Sequence, residues 1–195
     1  IYLKEILKST SNLSDDQFLD IHTFSDLPSS SGLGSSSSFI VGMINALYVL
    51  RGLYISPYNL SKKSISIERD QLKQHGGWQD QIFASYGGFK KVSFFRNEFE
   101  VTDIVLNSEK LSALENSVMF FYTNIQRSSA EIQEVTFNQK NMKKNQKALN
   151  EMVGLVDEAI SILLDINDKD EMVMRFGKLL NKSWKLKKSL SKVSV

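Results

Sequence analysis

Glycine and serine crowd residues 26–38, from Asp26 through Gly32 and Gly34 to Ser38. An apolar pattern follows at once, with Phe39, Ile40, Met43, Ile44, Leu47 and Leu50 recurring at helical spacing. A loop that opens a helix leaves backbone N–H groups unpaired at the helix start. Those donors and the helix dipole together form a ready phosphate site. Glycine lets the backbone come close to the anion, and serine hydroxyls add donors or a metal ligand. The stretch is not a Walker A loop, because no lysine follows Gly34. It is not a dinucleotide fingerprint either, because Ser37 stands where a third glycine is needed. Composition alone also allows a Ser/Gly linker. The flanks favour the phosphate loop: Phe18, Ile21 and Phe24 suggest a strand before it, and a strong helix follows.

Downstream stand Glu68-Arg69 and then Gly76-Gly77-Trp78-Gln79-Asp80-Gln81. Phosphoryl transfer needs a phosphate cradle, a divalent cation, a carboxylate at the acceptor hydroxyl and positive charge near the transferred group. Ser36 and Glu68 offer hard oxygen ligands of the kind magnesium takes. Asp80 offers a carboxylate in a glycine-rich bend, where backbone can approach a sugar closely. Arg69 can neutralise phosphate or hold the carboxylates in place. Each residue alone has a plainer reading. A Glu-Arg pair on a helix is usually a solvated face, an aspartate near glycines is usually a turn former, His75 reads as a loop histidine, and Trp78 as packing.

The elements that must position these residues can be read from local signals. A strand is expected at 18–24 and a helix at 35–51. Ser56-Pro57 starts a second helix running to about Lys73, since serine caps and proline at the first position loses nothing. His75-Gly76-Gly77 breaks it, and residues 78–86 form a short helix stopped by Gly87-Gly88. Strands follow at 89–95 and 99–106 with Arg96-Asn97-Glu98 as their turn. The polar segment 107–116 is a candidate domain boundary, and 118–122 reads as a buried strand. Long helices come after, with core stripes of Leu149, Met152, Val153, Val156, Ile160 and Leu163, then Met172, Phe176, Leu179 and Leu180. The basic segment 182–192 reads as a solvated helix end.

The motifs resemble those of the GHMP small-molecule kinases. Pro28-x-x-x-Gly32-Leu33-Gly34-Ser35-Ser36-Ser37 is similar to the family's ATP loop, and Glu68-Arg69 followed by Gly77-Trp78-Gln79-Asp80-Gln81 matches its later motif in order and spacing. The resemblance implies that ATP phosphates lie on Pro28, Ser29, Ser30, Ser31, Gly32, Leu33, Gly34, Ser35, Ser36 and Ser37. It implies Mg2+ on Ser36 and Glu68, a catalytic base or orienting group at Asp80, and sugar contacts at Gly77 and Gln79. Further segments, Tyr86-Gly87-Gly88-Phe89, Tyr122-Thr123-x-x-x-Arg127-Ser128-Ser129 and Trp184-x-x-Lys187-Lys188, look like the D-glycero-D-manno-heptose 7-phosphate kinases. Those enzymes phosphorylate the anomeric hydroxyl of a sugar phosphate, giving a 1,7-bisphosphate for surface polysaccharide precursors. Arg127 is then a candidate for the substrate phosphate, beside its plain reading as a surface arginine at a helix start. Trp78 departs from the lysine common there and resembles fucokinases instead, so a free-sugar kinase of the fucokinase or galactokinase kind stays open. A non-catalytic nucleotide- or sugar-binding protein on the same fold is the reading of another class.

The implied fold is α+β with two domains. A mixed sheet with helices forms the ATP-binding domain, 1–115, and a ferredoxin-like domain follows at 116–195, with both ends expected to be incomplete. The 195 residues, 42% hydrophobic and 24% charged, suit a globular chain. A net charge of +2 gives no sign of nucleic-acid binding. No apolar run approaches the roughly 20 residues of a membrane span, and a cytoplasmic location is expected. Without cysteine there is neither a disulfide framework nor a thiolate metal site. A small-molecule sugar or sugar phosphate is the expected partner, with no membrane partner, and a homodimer stays open.

Overall fold

Gly34 sits at φ 69°, a left-handed conformation that glycine adopts without strain, and leads the chain into its first long helix. This is seen in a computed structural model that describes residues 2–10, 19–24, 33–74, 76–121 and 139–190. A short helix, α1 (Tyr2–Thr10), precedes it. The long helix is α2 (Ser35–Leu50), and Ile40, Val41, Ile44 and Leu47 bury one of its faces. α3 (Pro57–Ile65) begins as expected: Ser56 accepts the Asn59 N–H at 3.3 Å, and proline takes the first turn.

α3 does not stay α-helical to its end. Ser61 and Ser64 donate their hydroxyls to the carbonyls of Pro57 and Leu60, one turn back, and such bonds loosen and bend helices. Directly after them the chain widens into a π-helical segment, Ser66–Gln71, which carries Glu68 and Arg69. Single π turns are rare and often mark functional sites. After the break, α4 (Gln79–Tyr86) brings Asp80 and Gln81. β1 (Lys90–Phe95) and β2 (Glu98–Asp103) then form a hairpin, the one sheet among the described residues, with Arg96 and Asn97 at its turn.

The described residues fall into two compact units, one up to Glu100 and one from Val101. In the first, α1, α2 and α3 enclose Ile6, Ile40, Ile44, Leu47, Leu60 and Ile67. Each such buried side chain stabilises by roughly 1.5–3 kcal/mol, so α2 and α3 are held on a firm base. The second unit is helical: α5 (Ser108–Asn116), α6 (Gln139–Asp165) and α7 (Lys169–Leu190) pack around Leu155, Ile162, Leu163, Met172 and Leu179.

Several expectations need correction. Residues 19–24 form no strand, and Phe24 is 94% exposed. The polar segment expected to end a domain is helix α5, capped by the Asn107 side chain on the Lys110 N–H, and its Leu114 packs against the second core. Residues 118–121 are exposed and make no ladder. A strand needs a neighbour for its backbone groups, and among the described residues none runs beside this one. Val153 and Val156, expected in the core stripe, face outward, because Leu155 and Ile162 set the buried face of α6. Pro28, Ser29, Ser30, Ser31, Gly32, His75, Tyr122 and Arg127 lie outside the described residues. Among the described residues no helix is long and apolar enough to cross a membrane.

Candidate active site

Glu68 is the centre of the site. Its side chain is buried, with the residue only 3% exposed, and a carboxylate in that position is costly unless donors meet it. Three do. Ser36 Oγ donates to Oε1 at 3.0 Å, Ser37 Oγ donates to Oε2 at 2.9 Å, and Gln81 Nε2 donates to Oε2 as well. The donors come from the first turn of α2 and from α4, and the acceptor from the π turn. Hydrogen bonds to an ionised group are the strong ones, so this carboxylate pins three elements together.

Asp80 sits one residue before Gln81, and the two part ways. Gln81 is fully buried on Glu68, whereas Asp80 is exposed. Asp80 lies against Gly34: a Cβ built on that glycine would come 3.5 Å from Asp80 Cγ and 3.6 Å from Oδ2. The first turn of α2 carries no acidic residue and no capping side chain. Its amides, the Ser36 hydroxyl and the Asp80 carboxylate therefore share one place, next to backbone that an anion can approach.

Arg69 has a different task from the one expected. Its guanidinium donates to Gln74 O at 3.1 Å and Gly77 O at 2.7 Å, and among the described residues it pairs with neither Glu68 nor Asp80. A Cβ at Gly76, whose φ is 152°, would fall 2.7 Å from both terminal nitrogens of Arg69. Glycine at 76 thus leaves room for an arginine that fixes the bend leading to Asp80. Gly77 and Gln79 line a pocket of about 280 Å³ with Gly76, Trp78, Phe94 and Arg96.

The residues present fit magnesium. Adjacent ligands of an octahedral ion with bonds near 2.1 Å stand about 3.0 Å apart, and Ser36 Oγ and Glu68 Oε1 have that spacing. Gln81 Oε1 is buried with no hydrogen-bond partner among the described residues, an acceptor that the water shell of a cation can satisfy. The described residues hold no cluster of three or more His, Cys, Asp or Glu. An ion here would therefore rest on one carboxylate and one hydroxyl plus oxygens of substrate and water, a common arrangement for magnesium. The expected motif residues converge, but the two donors that hold Glu68 from its other side, Ser37 and Gln81, had no such role in the sequence reading. Only the place of Gln81 next to Asp80 was visible there; that Gln81 lies on the inward face of α4 is seen in the structure.

Residues 2–88 match the GHMP kinases N terminal domain. This region is a GHMP kinase N-terminal domain. The D-glycero-alpha-D-manno-heptose 7-phosphate kinase of Campylobacter jejuni is 33% identical over 174 residues, covering 89% of this chain and 50% of that protein. The bifunctional fucokinase/GDP-fucose pyrophosphorylase of Arabidopsis thaliana is 29% identical over 115 residues, 57% of this chain and 11% of that protein. A crystal structure of a D-glycero-D-manno-heptose 1-phosphate kinase from Bacteroides thetaiotaomicron superposes with a TM-score of 0.63 at 25% identity, covering 85% of this chain and 47% of that one. The chain spans about half the length of the heptose 7-phosphate kinase it matches. Within the GHMP domain, the match takes in α2, the π turn and α4, the elements that meet at Glu68.

Proposed function

We propose that this chain carries the ATP- and magnesium-binding site of a sugar kinase. It phosphorylates the anomeric hydroxyl of a sugar phosphate, with D-glycero-D-manno-heptose 7-phosphate as acceptor and the 1,7-bisphosphate as product. The observation that carries the reading is the convergence of Ser36, Ser37 and Gln81 on buried Glu68, with Asp80 exposed beside Gly34. The heptose 7-phosphate kinase relative supports the choice of sugar.

In this reading the loop ending at Gly34 and the first turn of α2 bind the ATP phosphates through backbone N–H groups. Ser36 and Glu68 hold the cation, which when bound neutralises charge on the phosphate oxygens. Ser37 and Gln81 keep the Glu68 carboxylate oriented. Asp80 accepts the proton of the sugar hydroxyl, or orients that hydroxyl, as its oxygen forms a bond to the γ-phosphorus and the bond to ADP breaks. Arg69 acts at one remove, by fixing the bend before Asp80.

The test is ADP formation by the full native chain with a panel of phosphorylated and free sugars. The expected result is magnesium-dependent turnover with the heptose 7-phosphate. ADP release with none of the sugars would contradict the proposal. Turnover with fucose or galactose alone would move the acceptor to the free-sugar class suggested by Trp78.

A further inference from the structure

The residues just before Asp80 form one wall of the 280 Å³ pocket, and the hairpin forms the other. Trp78 and Phe94 meet edge to face, with ring centroids 6.5 Å apart and planes at 65°. Arg96 stands at the hairpin turn with φ 57° and lies exposed at the pocket. Lys62 stands over the Trp78 ring and Arg96 lines the pocket, and the two cations differ. Lys62 Nζ is 5.8 Å from the Trp78 ring centre but is committed to Asn97 O and Glu98 Oε1, each at 2.9 Å. Arg96 has no carboxylate partner among the described residues.

An aromatic face accepts the C–H face of a sugar ring. A guanidinium fork accepts a phosphate through paired N–H donors. The pocket volume, about 280 Å³, lies just below the usual range for small-ligand sites, about 300–1,000 Å³, and leaves room for one sugar ring. Gln79 lines the pocket and is the residue directly before Asp80 in the chain.

We propose that Trp78, Phe94 and Arg96 form the acceptor pocket and that Arg96 selects acceptors carrying a phosphate away from the reacting hydroxyl. This deepens the kinase reading above and rests on it. Arg96 is a specificity-determining residue, with no part in the bond change itself.

The experiment compares the full native chain with its Arg96→Asn and Trp78→Ala variants, using the heptose 7-phosphate and the matching free heptose as acceptors. Asparagine tolerates the left-handed backbone at position 96 and removes the charge. Arg96→Asn should raise KM for the phosphorylated acceptor about 10- to 100-fold. It should leave KM for ATP, kcat at saturation and the free-sugar kinetics unchanged. Trp78→Ala should raise KM for both acceptors. An unchanged KM for the phosphorylated sugar in Arg96→Asn overturns the pocket assignment, as does an equal rise for the free sugar. If the wild-type chain phosphorylates neither heptose, the heptose acceptor of the kinase reading falls. Calorimetric titration with the heptose 7-phosphate then decides the pocket separately. Binding weakened by Arg96→Asn supports it, and binding equal in both, or absent from the wild type, overturns it.

Discussion

The two units bury polar side chains for different ends. In the second unit, buried Lys110 donates to the carbonyls of Leu163 and Leu164 at 3.0 and 2.9 Å, the last turn of α6. Buried Asn145 donates to Leu190 O at 3.2 Å, the end of α7. Both satisfy carbonyls that a helix end leaves open, and a cation there also suits the helix dipole. In the first unit, Ser37, Glu68 and Gln81 are buried and bond to one another rather than to helix ends. A buried charge that closes a helix is explained by that helix. A buried carboxylate gripped by side chains from two other segments closes no helix end, which agrees with the ligand role proposed for Glu68.

Substitutions in each unit should separate these two kinds of buried charge. The largest effect belongs to Glu68→Gln. Removing the cation's carboxylate should lower turnover about 1,000-fold or more, since a bound metal supplies several kcal/mol to the transition state. Magnesium titration of ADP formation checks this, and wild-type turnover in the variant would return Glu68 to a structural role. Next comes Lys110→Met, which leaves the α6 carbonyls without their donor. It should destabilise the second unit by about 1–2 kcal/mol, read by urea unfolding, while Mg-ATP binding stays as it was. Weakened nucleotide binding in that variant would erase the contrast between the units.

The smallest effect concerns the exposed network that ties the hairpin to α3. Tyr58 donates to Glu98 Oε2 at 2.7 Å and Lys62 to Oε1 at 2.9 Å. The Tyr58 hydroxyl first, and then Lys62, hold the Glu98 carboxyl below its ordinary range, while the same bond raises the Tyr58 phenol. A depressed carboxylate contributes stability above its unfolded value, and that contribution is lost as pH falls through the folded one. A raised phenol contributes below its unfolded value and loses the contribution as pH rises through the folded one. Tyr58→Phe should therefore make melting slightly less sensitive to acid below about pH 4. The groups are solvent-exposed, so the change is small. Melting curves at two pH values measure it, and greater acid sensitivity in Tyr58→Phe would reverse the assignment.

Much of this arrangement was legible in the sequence where the signal was local. The helix after Gly34, the Ser56-Pro57 start, the short helix ended by Gly87 and the turn at Arg96-Asn97 all follow from periodicity, capping and turn chemistry. Ser36, Glu68 and Asp80 were legible as a set through their resemblance to a kinase motif; the structure bonds Ser36 to Glu68 and sets Asp80 against Gly34. Other features depend on packing between elements. The π turn needs knowledge of how Ser61 and Ser64 bond. The role of Gln81 depends on which face of α4 turns inward. The Trp78 pocket joins a bend to a hairpin turn 18 residues further on, and no local pattern links the two. Val153 and Val156 read as core because apolar spacing does not say which of two adjacent stripes a neighbour covers.

The most direct test of the site is to change Asp80 alone. Asp80→Asn keeps the size of the side chain beside Gly34 and removes the charge that accepts a proton. Turnover of the full native chain with its best sugar should fall by about 10²–10⁴-fold, while Mg-ATP binding measured by calorimetry stays near that of the wild type. Undiminished turnover would show that Asp80 is not the acceptor-side carboxylate, and loss of Mg-ATP binding equal to the loss of turnover would show that it serves the nucleotide instead.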